Sequence, residues 1–276
     1  MKIFDYTITS RNNETVKWAA SLSQKKWRET SRSFIAEGEK LCFEALDVGL
    51  PVSHIFVLET KKEYLLSKIS AYMSNEKYSE TAVITLSESV FLKISTESAP
   101  QGIISVIKYL DFFRDADIIY KEEFLNFPNE RVLFLSSLRD PGNLGAVIRS
   151  ACAFGIDHII LTADSADLYN PKTVRSAMGS LFRVKTTVVH NAVETVKEII
   201  ASGRRVFSAE LRDGAVSVFE AGLKSSDVII IGNEGHGIDP ALSSVSSASV
   251  FIPISRKTES LNAAVAAAIF MWEISK

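Results

Sequence analysis

The stretch VLFLSSLRDPGNLGAVIR, residues 132–149, decides the fold. It opens on an unbroken apolar run, Val132 to Leu135. A strand open to water on one face alternates apolar and polar side chains. A continuous run suits a strand covered on both faces, the usual state of a parallel sheet. Pro141-Gly142 then turns the chain, and Asn143 is placed to cap a helix expected over Asn143–Phe154. Leu144, Val147, Ile148 and Ala151 recur at helical spacing and form its core face. Gly145 and Arg149 are one turn apart on another face, which the glycine leaves open to a close ligand. In isolation the stretch reads as a βα turn with a surface arginine.

The pattern repeats outward. Strands are expected at His158–Leu161, Val206–Ala209, Val228–Ile231 and Val250–Ile252, with helical stretches at Ala192–Ala201 and Glu259–Ser275. This alternation predicts an α/β domain with a mostly parallel sheet covered by helices over residues 131–276. The mixed, charged residues 111–130 read as a linker. Residues 1–110 form a smaller α/β domain. A helix over Asn12–Leu22 is capped by Asn12 or Asn13, and another runs from Glu39 to Val48. Strands are expected at Phe34–Ala36, Ile55–Val57, Ala82–Ile84 and Ile103–Ile107.

Composition narrows the chemistry. The chain has 276 residues, 46% of them hydrophobic, enough for a sizeable core. A net charge of −2 is not that of a protein coating nucleic acid, so any nucleic-acid binding would require a local basic patch. The two cysteines, Cys42 and Cys152, form no Cys-x-x-Cys pair, and no metal-ligand spacing is present. His54 and His158 flank apolar runs and read as structural. The start, MKIFDYTITS, lacks the apolar run of a signal peptide, and no run reaches the ~18 residues of a membrane span. The expectation is a cytoplasmic protein.

Two further segments carry chemistry. VIIIGNEGHGI, residues 228–238, sets three glycines just after a buried strand. In open parallel sheets, ligands bind at the carboxyl ends of strands, where this loop sits. It comes too late in the chain for a first-unit dinucleotide fingerprint, which argues against a nicotinamide-cofactor enzyme. IPISRKTESLN, residues 252–262, precedes a helix capped by Ser260 or Thr258. Leu261, Ala264, Val265, Ala268, Ile269 and Trp272 would be its buried face.

In this order, Asn143-x-Gly145-x-x-x-Arg149, Gly232-x-Glu234-Gly235-x-Gly237 and Ile252-Pro253…Ser260-Leu261-Asn262 resemble the motifs of the SpoU/TrmH family of the SPOUT superfamily. Asn170-Pro-Lys-x-x-Arg175-Ser-x-x-Gly179 is a further familiar stretch. Where the family usually carries a glycine, this chain has Arg256-Lys257. The first half more distantly resembles the ribosomal-protein-like RNA-binding module of family members, through Arg28…Phe34-Ile35-Ala36-Glu37-Gly38 and Ala99–Ile103.

The resemblance implies a trefoil-knotted domain, a homodimer through the knot region, and methyl transfer from S-adenosylmethionine to a ribose 2'-hydroxyl of RNA. It implies that Arg149 acts at the 2'-oxygen. A guanidinium with a pKa above ~12 is a poor base, so donation to the developing alkoxide is the favoured role. Asn143 would position Arg149 or the substrate, and Glu234, Ser260 and Asn262 would complete the pocket. Gly232, Asn233, Gly235, Ile252 and Leu261 would grip the cofactor.

The required basic patch lies between Arg11 and Arg32, where Lys25, Lys26, Arg28 and Arg32 are RNA-contact candidates beside Trp18 and Trp27, with Arg175 as a further candidate. The module favours ribosomal over transfer RNA. The competing reading is a non-catalytic RNA-binding or ribosome-assembly factor that retains the fold.

Overall fold

The computed structural model describes residues 1–110, 113–116, 130–255 and 257–276. The expected linker falls almost wholly outside them, as does Arg256. The chain divides into two compact units, Met1–Leu110 with Asp167–Phe182, and Asp111–Ala166 with Arg183–Lys276.

The first unit is a five-stranded mixed sheet in the order β1-β4-β3-β5-β2. Its strands are β1 (Lys2–Ile8), β2 (Ser33–Glu37), β3 (Val52–Leu58), β4 (Ala82–Leu86) and β5 (Ile103–Lys108). The helices are α1 (Glu14–Ser21), α2 (Lys25–Ser31), α3 (Glu39–Asp47), α4 (Lys62–Ile69) and α5 (Glu88–Ile94). Asn13 caps α1 by accepting from the Val16 N–H at 3.3 Å, which settles the choice between the two asparagines. Val16, Ala19 and Leu22 pack with Phe56, Ile84, Phe91 and Ile104 in one core. The Glu37 carboxylate accepts from Ser95 and from the backbone and hydroxyl of Thr96, and the Gln101 carbonyl oxygen accepts the Glu39 N–H at 2.8 Å. These bonds hold the Ala99–Gly102 turn against β2.

Asp167–Phe182, read from sequence as part of the second half, packs with the first. It carries α7 (Pro171–Ala177). The Tyr169 ring stacks on Tyr109 at 3.9 Å, its hydroxyl accepts the Leu110 N–H at 2.9 Å, and Arg175 pairs with Glu97.

The second unit is an eight-stranded sheet in the order β11-β13-β10-β12-β7-β8-β9-β6, with every pairing parallel. The strands are β6 (Phe113–Ala116), β7 (Val132–Leu135), β8 (His158–Thr162), β9 (Lys185–Val189), β10 (Val206–Ala209), β11 (Val216–Ser217), β12 (Val228–Ile231) and β13 (Ala248–Phe251). All four residues of β7 are fully buried, as expected of a strand covered on both faces. Val132, Phe134, Val206, Val228 and Ile230 pack against α8 (Ala192–Ala201) and α9 (Pro240–Val245). Elsewhere α6 (Pro141–Ala153) packs against α10 (Ala263–Ser275).

Three expectations change. Asn143 does not cap α6: Asp140 does, accepting the Asn143 N–H at 2.8 Å, and the helix starts at Pro141. Proline suits the first helical position because its missing N–H has no intrahelical partner there. Neither Ser260 nor Thr258 caps the last helix; Asn262 does, accepting from Ala264 and Val265 at 2.9 and 3.3 Å. The last helix also turns a different face inward. Ala263, Ala267, Phe270, Met271 and Ile274 are buried with Ala264, whereas Val265 and Trp272 are 49% and 56% exposed. The helix is apolar nearly all round, so periodicity could not choose between two apolar faces.

Candidate active site

Three chain segments meet at the start of α6. Asp140 serves as the cap, so the Asn143 side chain is available for tertiary contacts. Its amide donates to the Glu234 carboxylate and its carbonyl oxygen accepts from the Asn262 amide at 3.0 Å. The Asn262 oxygen is already held by two N–H groups of α10, so its NH2 must face Asn143. That fixes the Asn143 amide as well, with its own NH2 toward Glu234, which as a carboxylate only accepts. One chain of polarity therefore runs from a helix terminus through two asparagines to an exposed acid.

The glycine loop after β12 is a tight hairpin. Asn233 and Gly237 exchange backbone bonds, both 2.9 Å long. The Asn233 side-chain oxygen accepts from Gly235 and His236 at 2.8 and 3.2 Å, and its NH2 donates to the Ser137 carbonyl at 2.8 Å. Asn233 thus braces the loop and ties it to the end of β7. Gly232 is required by close approach, because a Cβ there would lie 2.5 Å from the Gly237 carbonyl carbon and oxygen.

Arg149 lies apart from this cluster. Its side chain is exposed and makes no hydrogen bond or ion pair among the described residues. At 3.6 residues per turn it projects roughly 120° around α6 from Asn143. Gly145, expected to leave the arginine's face open, is buried. Ser260 is exposed, and its carbonyl accepts from the Thr258 hydroxyl at 3.2 Å.

The cofactor-grip candidates carry backbone donors. The N–H groups of Ile252 and Leu261 find no acceptor among the described residues, although both residues are partly buried. On the segment that follows β13, they supply the unpaired donors that a ligand rich in acceptors requires, and S-adenosylmethionine, with its adenine nitrogens and carboxylate, fits that donor set. Neither cysteine suits covalent catalysis: burial pushes the Cys42 thiol up to about 12, and Cys152 faces no activating partner in any hydrogen bond or ion pair among the described residues.

Alongside Asn143 and Asn262 runs an open groove of about 580 Å³ between α6 and α10, lined by Ala146, Ser150, Phe154, Val265, Ile269 and Trp272.

In the first unit the basic candidates separate. Arg28 is only 2% exposed, donating at 2.8 Å to both the Leu22 and Ser23 carbonyls and pairing with Asp167. Its expected role on RNA is corrected: the guanidinium is a buried strut and cannot reach phosphate. Lys25, Lys26 and Arg32 are exposed. Arg175 is exposed but paired with Glu97. The tryptophans separate too. Trp18 packs on the core and against His54 at 5.0 Å, while Trp27 is 45% exposed with the Lys26 ammonium 5.5 Å from its ring.

Two residues with structural roles in this unit escaped sequence reading. Asp140 was legible, since an aspartate before proline signals a cap one residue before the helix. Glu210, which gathers three serines at the end of β10, has no local signature.

Comparison with known proteins gives the family. Residues 130–272 match the SpoU rRNA Methylase family, and residues 13–105 match the MRM3-like substrate binding domain. The chain belongs to the SpoU rRNA methylase family. It is 34% identical to the 23S rRNA (guanosine(2553)-2'-O)-methyltransferase RlmP of Bacillus subtilis, over 97% of this chain and 98% of that protein. It is 29% identical to the 23S rRNA (uridine(2479)-2'-O)-methyltransferase of Streptomyces viridochromogenes, over 96% of this chain and 90% of that one. The crystal structure of an AdoMet-bound rRNA methyltransferase from Sinorhizobium meliloti superposes with a TM-score of 0.80 at 29% identity, covering 99% of this chain and 97% of that chain.

Proposed function

We propose that this protein transfers the methyl group of S-adenosylmethionine to a ribose 2'-hydroxyl of ribosomal RNA. The observation that carries this reading is the meeting of Asn143, Glu234 and Asn262, from three separate segments, beside the loop after β12. The cofactor supplies a methyl group on a sulfonium, ready for in-line attack. The backbone around Gly232, Ile252 and Leu261 would hold it. The Asn143–Glu234–Asn262 chain gives the adjoining wall a fixed pattern of donors and acceptors, so little reorganisation is needed as charge moves. Arg149 donates to the 2'-oxygen as it loses its proton, which passes to a phosphate oxygen of the RNA. Transfer of that methyl group to the oxygen would leave the cofactor a neutral thioether, so the chain's residues need only hold the 2'-oxygen and the methyl carbon in line.

RNA is held through the first unit by Lys25, Lys26 and Arg32, with Trp27 offering an exposed ring to an unpaired base. Unmodified ribosomal RNA incubated with the protein and methyl-labelled S-adenosylmethionine should yield a labelled 2'-O-methylnucleotide after nuclease digestion. Label in a base, or none, overturns the reaction. Reversing both lysines, Lys25→Glu with Lys26→Glu, should weaken that RNA's binding about tenfold or more and flatten its salt dependence. Unchanged affinity overturns the assigned RNA face.

The working form is a cytoplasmic homodimer with a trefoil-knotted catalytic unit. No helix among the described residues is long and apolar enough to cross a membrane. The strand order, with β13 between β10 and β11, supports the knotted threading. A second copy seated on the α6–α10 groove would cover Val265 and Trp272, whose exposure on an apolar helix marks an interaction surface. Sedimentation should give the mass of two chains, and Trp272→Lys should give one. A monomeric wild type overturns the dimer.

A further inference from the structure

We propose that Glu210 is a positioning residue for cofactor binding, one carboxylate oxygen setting the spacing between the two loops that grip the cofactor. The inference rests on the reaction proposed above. Glu210 lies one residue beyond β10, and its N–H donates to the Val250 carbonyl at 3.0 Å, so the ladder with β13 continues through it. In the sheet β10 is flanked by β12, which leads into the glycine loop, and by β13, which ends one residue before Ile252. Glu210 therefore stands between the two loops assigned to the cofactor.

A single oxygen, Oε1, gathers the neighbours. It accepts from Ser208 of β10 at 2.8 Å, from Ser249 of β13 at 3.0 Å, and from Ser243 of α9. The three serines are 0%, 3% and 4% exposed. Arg212 closes the set, with Nη1 donating to the Ser243 hydroxyl at 2.7 Å and Nε lying 3.5 Å from Glu210. Burial opposes ionisation of this carboxyl, but the three hydroxyls and Arg212 outweigh it and hold the group below the usual carboxylate range. An ionised acid only accepts, so it suits a ring of donors, and bonds to a charged acceptor are roughly twice as strong as neutral ones.

The glycine loop is thus fastened at both ends. Asn233 ties its start to the end of β7. Ser243, in the helix that follows the loop, is tied through Glu210 to β13. Loosening the second tie lets α9 drift from β13 and widens the crevice between the two loops. It leaves Arg149, Asn143 and Asn262 in place, since none of them bonds to this cluster.

Glu210→Gln and Ser243→Ala in the full-length protein test this. S-adenosylhomocysteine affinity is read by calorimetry, with KM and kcat measured on ribosomal RNA. Both variants should weaken cofactor affinity and raise the cofactor KM about tenfold, with kcat at saturation within about twofold of wild type and RNA affinity unchanged. Should Glu210→Gln fail to fold, Ser243→Ala decides, because it removes one donor and leaves the acid in place. Wild-type cofactor affinity in a variant with a lowered melting temperature overturns the positioning role and leaves the reaction standing. A wild-type protein that binds no S-adenosylhomocysteine overturns both.

Discussion

Arg149→Ala should lower the rate of methyl transfer by ~10²–10³ at saturating cofactor and RNA, the usual cost of removing one donor aimed at developing negative charge. Cofactor affinity stays within about twofold. The side chain is exposed and bonds to nothing among the described residues, so its loss leaves no buried group unsatisfied and changes stability by about 0.5 kcal/mol or less. Activity and stability should therefore separate cleanly. Asn143→Ala should not behave this way, because it strips a partner from both Glu234 and Asn262. Arg149→Lys retains the charge but loses the planar fork of donors, and should fall between wild type and alanine. Rapid-quench, single-turnover measurement isolates the chemical step. A wild-type single-turnover rate in Arg149→Ala would remove the arginine from the reaction.

The parts of this molecule legible in sequence are those set by periodicity and burial. The run Val132–Leu135 suited a doubly covered strand, and the three glycines after Val228–Ile231 suited a turn at a strand end. Long-range placement was legible through resemblance alone, since nothing in the spacing of residues 143, 234 and 262 says that they meet. Where local rules offered two answers, the structure used the one with the stronger tertiary tie. Asp140 took the cap and released Asn143 to reach Glu234. Asn262 both caps α10 and holds Asn143, a double role unavailable to Ser260 or Thr258. Arg28 was misread because a buried arginine and a phosphate-binding one look identical in a basic stretch. Only its partners, two carbonyls and Asp167, distinguish them.

The second large effect is expected from a single methyl group. In Gly232→Ala the added Cβ would stand 2.5 Å from the carbonyl carbon and oxygen of Gly237 and 2.7 Å from Cγ1 of Ile238. The first two are backbone atoms that cannot rotate away, so the bonds between Asn233 and Gly237 must open. With them go the brace from Asn233 and the position of Glu234 against Asn143. Affinity for S-adenosylhomocysteine should fall about a hundredfold, roughly 2.7 kcal/mol. The other two glycines give the contrast. At Gly237 a Cβ meets nothing within 4 Å, but φ is +69°, so Gly237→Ala costs about 1–2 kcal/mol of backbone strain with no clash. At Gly235 the nearest atom is the Asn233 side-chain oxygen at 3.4 Å, an ordinary contact, and Gly235→Ala should bind almost as wild type does. Calorimetry on the three variants should therefore rank the damage as Gly232, then Gly237, then Gly235. If Gly235→Ala loses as much affinity as Gly232→Ala, the loop acts through direct contact with the ligand at Gly235, and the hairpin brace is not what shapes the pocket.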